Sequence, residues 1–191
     1  MKPETDKRDL IIEAVFKLIS EEGIAAVSAR NVAGEAGVAL GLVNYYFKDK
    51  HNLICQALLK FEEHDLAIVN FESKLAPAAK LKKSLAMVAD KKYLSADYLS
   101  LRMQLWSLAK VHKDFAKLNT QAHKKYLKGL EDLICAAAPK LSSAECKKRA
   151  VEIDLIQNGI WLSALLGVDA QAVKKAVELT KEIALAPAKR A

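Results

Sequence analysis

The sequence predicts an all-α protein of about nine helices. Only 7 Gly and 4 Pro occur in 191 residues, while alanine, leucine and lysine are abundant, and this composition favours helix along most of the chain. Apolar residues recur at helical spacing, and no segment alternates apolar and polar residues as a strand does. We expect a three-helix head with a helix-turn-helix, residues 1–47, followed by a six-helix body, residues 48–191.

The first predicted helix runs from Asp6 to Glu22, and Gly23 ends it. One side of this helix is apolar at helical period, so it should pack behind the two short helices that follow. The residues of this stripe are Leu10, Ile11, Ala14, Val15, Leu18 and Ile19.

Two short helices, 29–36 and 41–46, are predicted between Ser28 and Lys50. Ser28 can N-cap the first of them, because its hydroxyl can accept from backbone N–H groups two or three residues on. Gly37 stands where that helix should end, at a position that favours a residue free to take positive φ.

Three small or branched residues suit a helix-turn-helix. Ala33 is small where the two helices would approach most closely, Gly37 permits the turn, and Val43 supplies an apolar plug between the helices. An ordinary helical corner would show the same spacing, so the spacing by itself leaves both interpretations open.

The body shows a succession of helix signals. Pro77 suits the first turn of a helix, and Pro139 stops one. The predicted helices begin at Asp49 or Lys50 (to about Phe71), at Pro77 (to Leu94), after Asp97 as N-cap, at Asp114 (to Ala138), after Ser142 or Ser143 (to Leu166), and after Asp169 (170–185).

The run GVALGLVNYYFKDKHNLICQAL carries Gly41, Tyr45, Phe47 and Lys50 at the spacing of a glycine turn followed by Gly-x-x-x-Tyr-x-Phe-x-x-Lys. It resembles the signature of the TetR family of bacterial transcription regulators, and the match covers about the first 60 residues, from Arg8 onward. The resemblance implies a DNA-binding head and a body that holds a small-molecule effector and dimerises through its last two long helices.

The resemblance also implies a set of DNA contacts. Arg30 can pair bidentately with guanine and Asn44 with adenine, whereas Leu40 and Leu42 can offer a thymine methyl only apolar contact. A merely solvated Asn44 is the alternative. The positions that match the family's contacts are Ser28, Arg30, Leu40, Gly41, Leu42, Asn44, Tyr45, Tyr46 and Lys50.

Tyr45, Lys50 and Ser28 are better suited to phosphate, which sets register without specifying sequence. Either Tyr45 or Tyr46 could face DNA, and the other would pack into the head. The family commonly has Ser or Thr where Ala39 stands, as the N-cap of the second helix. Its absence should weaken that helix by roughly 1 kcal/mol.

The body segments QNGIWLSALLG and HKDFAKLNTQAHKKYLKGLEDLI resemble the family's subgroup that represses choline-to-betaine synthesis. The resemblance implies a homodimer and a ligand pocket between helices, with ordinary core or surface as the alternative for each pocket residue. For the dimer interface we expect Gly159, Trp161, Ser163 and Leu166. For the pocket we expect Tyr93, Arg102, Met103, Gln104, Trp106 and Asn158.

Charge and cysteine content limit the other functions. The chain carries a net charge of +7, yet residues 1–60 hold eight basic and eight acidic residues, so the excess lies in the body. The lysine face between Lys113 and Lys128 is predicted to be solvated surface. The three cysteines are expected to be buried free thiols, and the scattered histidines form no metal, cofactor or catalytic pattern.

No uncharged apolar run reaches membrane-spanning length and the amino-terminal residues are polar, so we expect no membrane segment and a cytoplasmic protein. We predict a repressor that binds double-stranded, palindromic operator DNA as a homodimer and is released by a small-molecule effector. The alternative is an effector-independent architectural or cell-cycle DNA-binding protein of the same fold. A helical enzyme with an incidental helix-turn-helix is a third hypothesis, which the lack of catalytic motifs disfavours.

Overall fold

A computed structural model describes residues 6–167 and 169–187, and these form nine α-helices, one short 3₁₀ turn and no strand. None of the described helices is both long and apolar enough to cross a bilayer. The 3₁₀ turn, Ile24–Ala26, lies between the first two helices. The helices are α1 Lys7–Glu22, α2 Ala29–Ala36, α3 Leu40–Tyr46, α4 Lys50–Val69, α5 Pro77–Met87, α6 Ala96–Leu108, α7 Lys113–Ala137, α8 Ser143–Leu165 and α9 Ala170–Leu185.

The chain divides into two compact units. The first consists of the residues up to Glu63 together with Ser100–Asn119, and the second of His64–Leu99 together with the residues from Thr120 onward. The predicted head, residues 1–47, lies inside the first unit, which also contains part of the predicted body.

Most helix ends follow the local signals. Side chains of Asp6, Ser28, Ser142 and Asp169 accept backbone N–H groups two or three residues on, as N-caps do. Pro77 occupies the first turn of α5. These local predictions are confirmed.

Two predicted boundaries are wrong. The Ser95 hydroxyl, not Asp97, lies at the start of α6 and accepts the Tyr98 N–H at 3.3 Å, which leaves Asp97 inside the first turn near the positive helix end. α5 ends at Met87 instead of Leu94, because residues 88–95 form turns closed by bonds such as Tyr93 N–H to the Asp90 carbonyl.

In the first unit, the apolar side of α1 is buried, with Ile11, Val15 and Ile19 fully inaccessible to solvent. Phe16 packs edge-to-face on Phe61, with ring centroids 6.3 Å apart. Leu10, which the periodicity places on the same stripe, is 40% exposed because it lies at the outer end of the helix.

In the second unit, α8 contributes buried polar groups to the core. Arg149 is 3% exposed, bonds Glu145 at 3.1 Å, and donates to the carbonyls of Ala184 and Ala186 at the end of α9. This guanidinium therefore satisfies carbonyls that the end of a helix would otherwise leave without partners.

The prediction of three free thiols is wrong for two of them. Cys135, near the end of α7, and Cys146, near the start of α8, form a disulfide with their Cα atoms 5.7 Å apart. The short connection between α7 and α8 reverses the chain direction, and this brings residues eleven positions apart into contact. Cys55 is a free, half-buried thiol.

Gly129 marks the closest approach between α7 and α4. A Cβ atom at this position would lie 2.7 Å from Val69 Cγ2 and 3.1 Å from Val69 Cβ. Because Val69 is itself buried and branched, it has little freedom to move away. Glycine is disfavoured inside helices, so its presence here is explained by packing.

We expect Gly129→Ala to lower the free energy of unfolding by about 1–3 kcal/mol, since the added methyl group overpacks the helix contact. Gly34→Ala is the matched control, because no atom lies within 4 Å of a Cβ at that helical glycine. The control should be neutral or stabilising by up to about 1 kcal/mol. Urea unfolding followed by circular dichroism measures both, and equal effects would contradict the packing explanation.

Candidate nucleic-acid interface

Residues of the predicted helix-turn-helix meet as the spacing requires. Ser28 Oγ accepts from Asn31 N at 3.1 Å, and Gly37 adopts the left-handed conformation at φ 64° and ψ 33°. Ala33, Val43 and Phe47 are 6%, 1% and 2% exposed. The buried side of α3 is thus fixed against its neighbours, and its other side faces solvent.

The two tyrosines of α3 differ in exposure. Tyr45 is 81% exposed and Tyr46 is 37% exposed. The Tyr46 ring lies against Phe47, with centroids 6.3 Å apart, and also meets the edge of Tyr45 at 5.3 Å. Tyr45 is therefore the tyrosine that projects furthest, and Tyr46 is partly packed into the head.

The other residues expected to contact DNA also lie at or near the surface. Leu40, Gly41 and Asn44 are exposed on α3, and Leu42 is half-buried. Arg30 is exposed at the start of α2.

Lys50 is exposed but tethered, because its Nζ donates to the Ala25 carbonyl at 3.3 Å. This bond joins the start of α4 to the 3₁₀ turn after α1. The structure thus brings one exposed surface together from the start of α2, the outer side of α3 and the start of α4.

The acidic residues of this region are already engaged. Glu35 pairs with Lys17 at 2.7 Å, a hydrogen bond that raises the pKa of Lys17, and Asp49 Oδ1 accepts from Asn52 N at 2.7 Å. Arg30 and Lys48 have no ion-pair partner among the described residues. Residues 1–60 have no net charge, yet they still present unpaired cations near α3.

The recognition helix lacks a side-chain cap. Ala39 is the N-cap residue of α3, and no side chain accepts a hydrogen bond from the first turn. α2, by contrast, has the Ser28 cap. The structure thus confirms that α3 lacks the cap, and the weakening of the helix stays a prediction.

The residues expected to form a ligand pocket are divided between the two units, and Arg102, Met103, Gln104 and Trp106 belong to the first. Arg102 is fully buried, with its guanidinium 5.3 Å from the Phe61 ring and 5.2 Å from the Trp106 ring, while Met103 is half-buried. Gln104 instead accepts from Ile24 N at 3.0 Å and donates to the Ile19 carbonyl, next to the end of α1.

Tyr93 and Asn158 belong to the second unit. The Tyr93 hydroxyl donates to the His64 carbonyl at 3.0 Å, and Asn158 Nδ2 donates to Asp154 at 3.2 Å. Neither residue lines the cavities described next.

Two cavities lie within the second unit. The larger, of about 770 Å³, lies among the end of α4, the start of α5 and one side of α7, and the smaller, of about 490 Å³, lies among α5, α8 and α9. The lysines of α7 are exposed, as predicted, but the sequence analysis did not indicate that Lys124, Lys125 and Lys128 also line the larger cavity. The feature of the sequence that could have indicated this cavity is that these lysines flank apolar residues on the same helix.

The residues expected at a dimer interface fall into two groups. Gly159 and Leu166 are exposed on α8 or just beyond it, and Ser163 is half-buried. Trp161 is 3% exposed and its Nε1 donates to the Val88 carbonyl at 3.1 Å, so it packs within its own unit.

Histidines that are distant in sequence do meet in the first unit. His51 Nε2 lies 3.6 Å from Cys55 Sγ and 3.3 Å from Asp114 Oδ2, and His51 stacks near His112. Burial chiefly raises the pKa of the Cys55 thiol, so it stays protonated. A nucleophile needs a depressed pKa and a base oriented through its other nitrogen, whereas here both contacts use one nitrogen. No three His, Cys, Asp or Glu side chains of the described residues could hold a metal ion.

A left-handed glycine turn, a short second helix held by the buried Val43, and adjacent unpaired cations are typical of a helix-turn-helix DNA-binding domain. Residues 11–57 match the family described as bacterial regulatory proteins, tetR family. These residues therefore match a TetR-family DNA-binding domain, and the findings support a TetR-family transcriptional regulator that resembles BetI.

Relatives and solved structures agree with this assignment. A regulator named BetI from Burkholderia mallei is 24% identical over 181 residues, covering 92% of this chain and 90% of the relative. BetI from Burkholderia ambifaria is 26% identical over 176 residues, covering 88% and 89%. The fold matches a regulator from Pseudomonas aeruginosa PAO1 with a TM-score of 0.78 at 19% identity, covering 96% and 90%. It also matches a Saccharomonospora viridis regulator in complex with choline, with a TM-score of 0.68 at 16% identity, covering 92% and 93%.

We expect Ala39→Ser to stabilise the start of α3 by about 0.5–2 kcal/mol, because a hydroxyl there can accept a first-turn N–H. Ser28→Ala is the opposite control and should destabilise α2 by a similar amount. Amide hydrogen exchange of the two helices distinguishes these effects. Unchanged protection of α3 in Ala39→Ser would show that the missing cap is not what limits the helix.

Proposed function

We propose that the chain is a homodimeric repressor that binds a palindromic operator and leaves it when a small-molecule effector binds. The observation that carries the proposal is the exposed side of α3, with Asn44 and Tyr45 beside the unpaired Arg30 and Lys48. One seven-residue helix touches few base pairs. Two heads on half-sites about one helical turn (~34 Å) apart would supply the required specificity.

Within this proposal, residues 1–47 read the DNA and residues 48–191 form the effector and dimer body. Arg30 and Asn44 contact base edges, and Tyr45 contacts phosphate. The exposed Gly41 allows close approach of the backbone to DNA. Lys50 contributes positive charge beside α3 while bonded to Ala25. The remaining expected contacts are Ser28 at phosphate, Leu40 and Leu42 at thymine methyl groups, and Tyr46 at the edge of the surface.

An exposed apolar strip on α8 supports dimerisation. Its members recur at spacings of four, four, three and four residues, which places them on one side of a helix. Leu155 is 66% exposed, and Leu179 on α9 is 47% exposed. Contiguous apolar surface of this kind marks protein–protein contact sites in folded proteins. The α8 strip consists of Val151, Leu155, Gly159, Leu162 and Leu166.

The second unit favours effector control over the architectural alternative. An effector-independent body would need only a well-filled apolar core, whereas this unit contains cavities of about 770 and 490 Å³. It also contains buried polar groups, such as Tyr126 donating to Gln157 Oε1 at 2.7 Å. The relatives named BetI and the related fold that holds choline support the same proposal.

The direct test is a fluorescence-anisotropy titration of the protein against DNA flanking its own gene, at fixed salt and with competitor DNA. Salt must be fixed because phosphate contacts dominate non-specific affinity. A competitor-resistant complex with two protomers per site supports the proposal. Binding that disappears at modest salt on every fragment of the flanking DNA contradicts it.

Asn44→Ala and Tyr45→Phe should separate base reading from phosphate contact in the same assay. Asn44→Ala should cost about 1–3 kcal/mol on operator DNA and almost nothing on unrelated DNA. Tyr45→Phe should weaken both by the same factor, because the hydroxyl meets phosphate. Tyr46→Phe is the control for a less exposed ring. If Tyr45→Phe weakened binding to operator DNA alone, the assignment of Tyr45 to a phosphate contact would be wrong.

Leu155→Glu should convert the dimer to monomers, because the carboxylate would be buried against the partner without a cation. Leu59→Glu is the matched control, since Leu59 is also exposed (41%) but belongs to α4 in the first unit. Sedimentation equilibrium gives the mass of each variant. A dimeric Leu155→Glu would exclude the α8 strip as the interface.

A further inference from the structure

The larger cavity of the second unit has an apolar floor. Leu66 and Val69 contribute from α4, Leu75 from the α4–α5 connection, and Leu133 and Ala136 from α7. Leu75 is 47% exposed and Ala136 is exposed, so part of this apolar surface faces water in the free protein. Gly129 also lines the cavity on the α7 side and contributes no side chain there.

Lysines surround that floor. Lys128 is compensated, because it pairs with Asp132 at 2.9 Å and with Glu131 at 3.2 Å. These hydrogen bonds, to Asp132 first, raise the pKa of Lys128. Lys80, Lys124 and Lys125 also line the cavity, and the described residues provide none of them with an ion-pair partner.

The start of α5 adds positive potential on the same side. Pro77 and Lys80 line the cavity, and the N-cap residue Ala76 offers no side-chain acceptor to the first turn. The positive end of an eleven-residue helix therefore lies in the cavity wall next to Lys80. Lys80 Nζ also lies over the Phe71 ring, 5.2 Å from its centroid. The three ammonium groups without an ion pair among the described residues, together with the helix terminus, favour an anion, and the floor favours a hydrocarbon.

We propose that this cavity binds an amphipathic carboxylate. The hydrocarbon chain of the ligand would lie against the apolar floor, and its carboxylate would lie among Lys80, Lys124 and Lys125. The volume of about 770 Å³ suits a ligand of small-molecule size. The lysines can reach a carboxylate by moving their flexible stems, so no backbone change is required.

The same charges disfavour a quaternary ammonium in this cavity. A choline-like cation is recognised by aromatic faces, and none of the cavity-lining residues is aromatic. The paired rings of Phe61 and Trp106 in the first unit already face the cationic Arg102. The ligand of this cavity thus differs in charge from the choline in the structurally related Saccharomonospora viridis regulator.

The test uses three probes of equal chain length: octanoate, 1-octanol and octyltrimethylammonium. Isothermal titration calorimetry of the full chain without DNA should show octanoate binding most tightly and octyltrimethylammonium least. Rising salt should weaken octanoate binding but not octanol binding. Equal affinity for octanoate and octanol, or tighter binding of the cation, would overturn the proposal.

Variants locate the binding. The double variant Lys124→Gln with Lys125→Gln should weaken octanoate binding by about tenfold or more. Lys82→Gln with Lys91→Gln removes the same charge from exposed positions outside the cavity and should leave affinity within about twofold. Ala136→Phe fills the floor without changing charge and should abolish binding of octanoate and octanol alike. Unchanged affinity in either cavity variant would place the ligand elsewhere.

A role for this ligand as the effector rests on the proposed repressor function, and the two can fail separately. Octanoate binding without operator binding would leave the cavity assignment standing and remove the repressor. Operator binding without octanoate binding would leave the repressor proposal standing and remove the cavity assignment. Where both occur, octanoate should lower operator affinity in the wild-type chain but not in the Lys124→Gln, Lys125→Gln variant.

Discussion

The placement of α3 depends on two buried side chains. A helix of seven residues has too few internal hydrogen bonds to be stable alone, and α3 also lacks a side-chain cap. Val43 and Phe47, at 1% and 2% exposure, therefore supply the burial that holds it. Because these two residues fix the inner side, Asn44 and Tyr45 must project outward. The exposed surface that we propose for DNA binding is in this sense a consequence of apolar packing.

The electrostatic potential at the surface of the head depends on individual side chains and not on the net charge. Between residues 28 and 50 the acidic side chains are Glu35 and Asp49, and each is held by a nearby partner, Lys17 and the Asn52 N–H. The positive charge of exposed cations such as Arg30 is not neutralised by an ion pair among the described residues. A bulk count of charges over residues 1–60 gives zero and hides this difference, because it weights engaged and free groups equally.

Local signals made the fold predictable. Asp6, Ser28 and Asp169 cap helices through bonds that span two or three residues, and Gly37 ends α2 by its own φ freedom. The residues that form each of these caps and turns lie close together in the sequence. The order of the helices and most of their bounds can therefore be predicted from short stretches of sequence. The family signature around Gly41 to Lys50 adds the DNA-binding class.

Partners that are distant in the chain were not predictable in the same way. Gln104 and Trp161 are residue types that are common in ligand pockets and interfaces. Each nevertheless forms a hydrogen bond with a backbone group more than 70 positions away. The Cys135–Cys146 pairing likewise depends on how the α7–α8 connection turns. A polar or aromatic side chain on an apolar helix looks the same in sequence whether it serves a ligand or its own fold.

The helix α8 shows why a body of this kind needs a second surface. Its polar residues Asp154 and Gln157 are buried at 5% and 0% exposure, while its apolar Leu155 and Leu162 are exposed at 66% and 48%. The buried side also carries the apolar Ile153 and Ile160, so α8 is apolar on more than one side, whereas an ordinary surface helix has a single apolar side that faces the core. Asp154 is bonded by His123 at 2.9 Å, so the inner side is stable through hydrogen bonds. The exposed leucines of the outer side are the surface that the proposed dimer contact would cover.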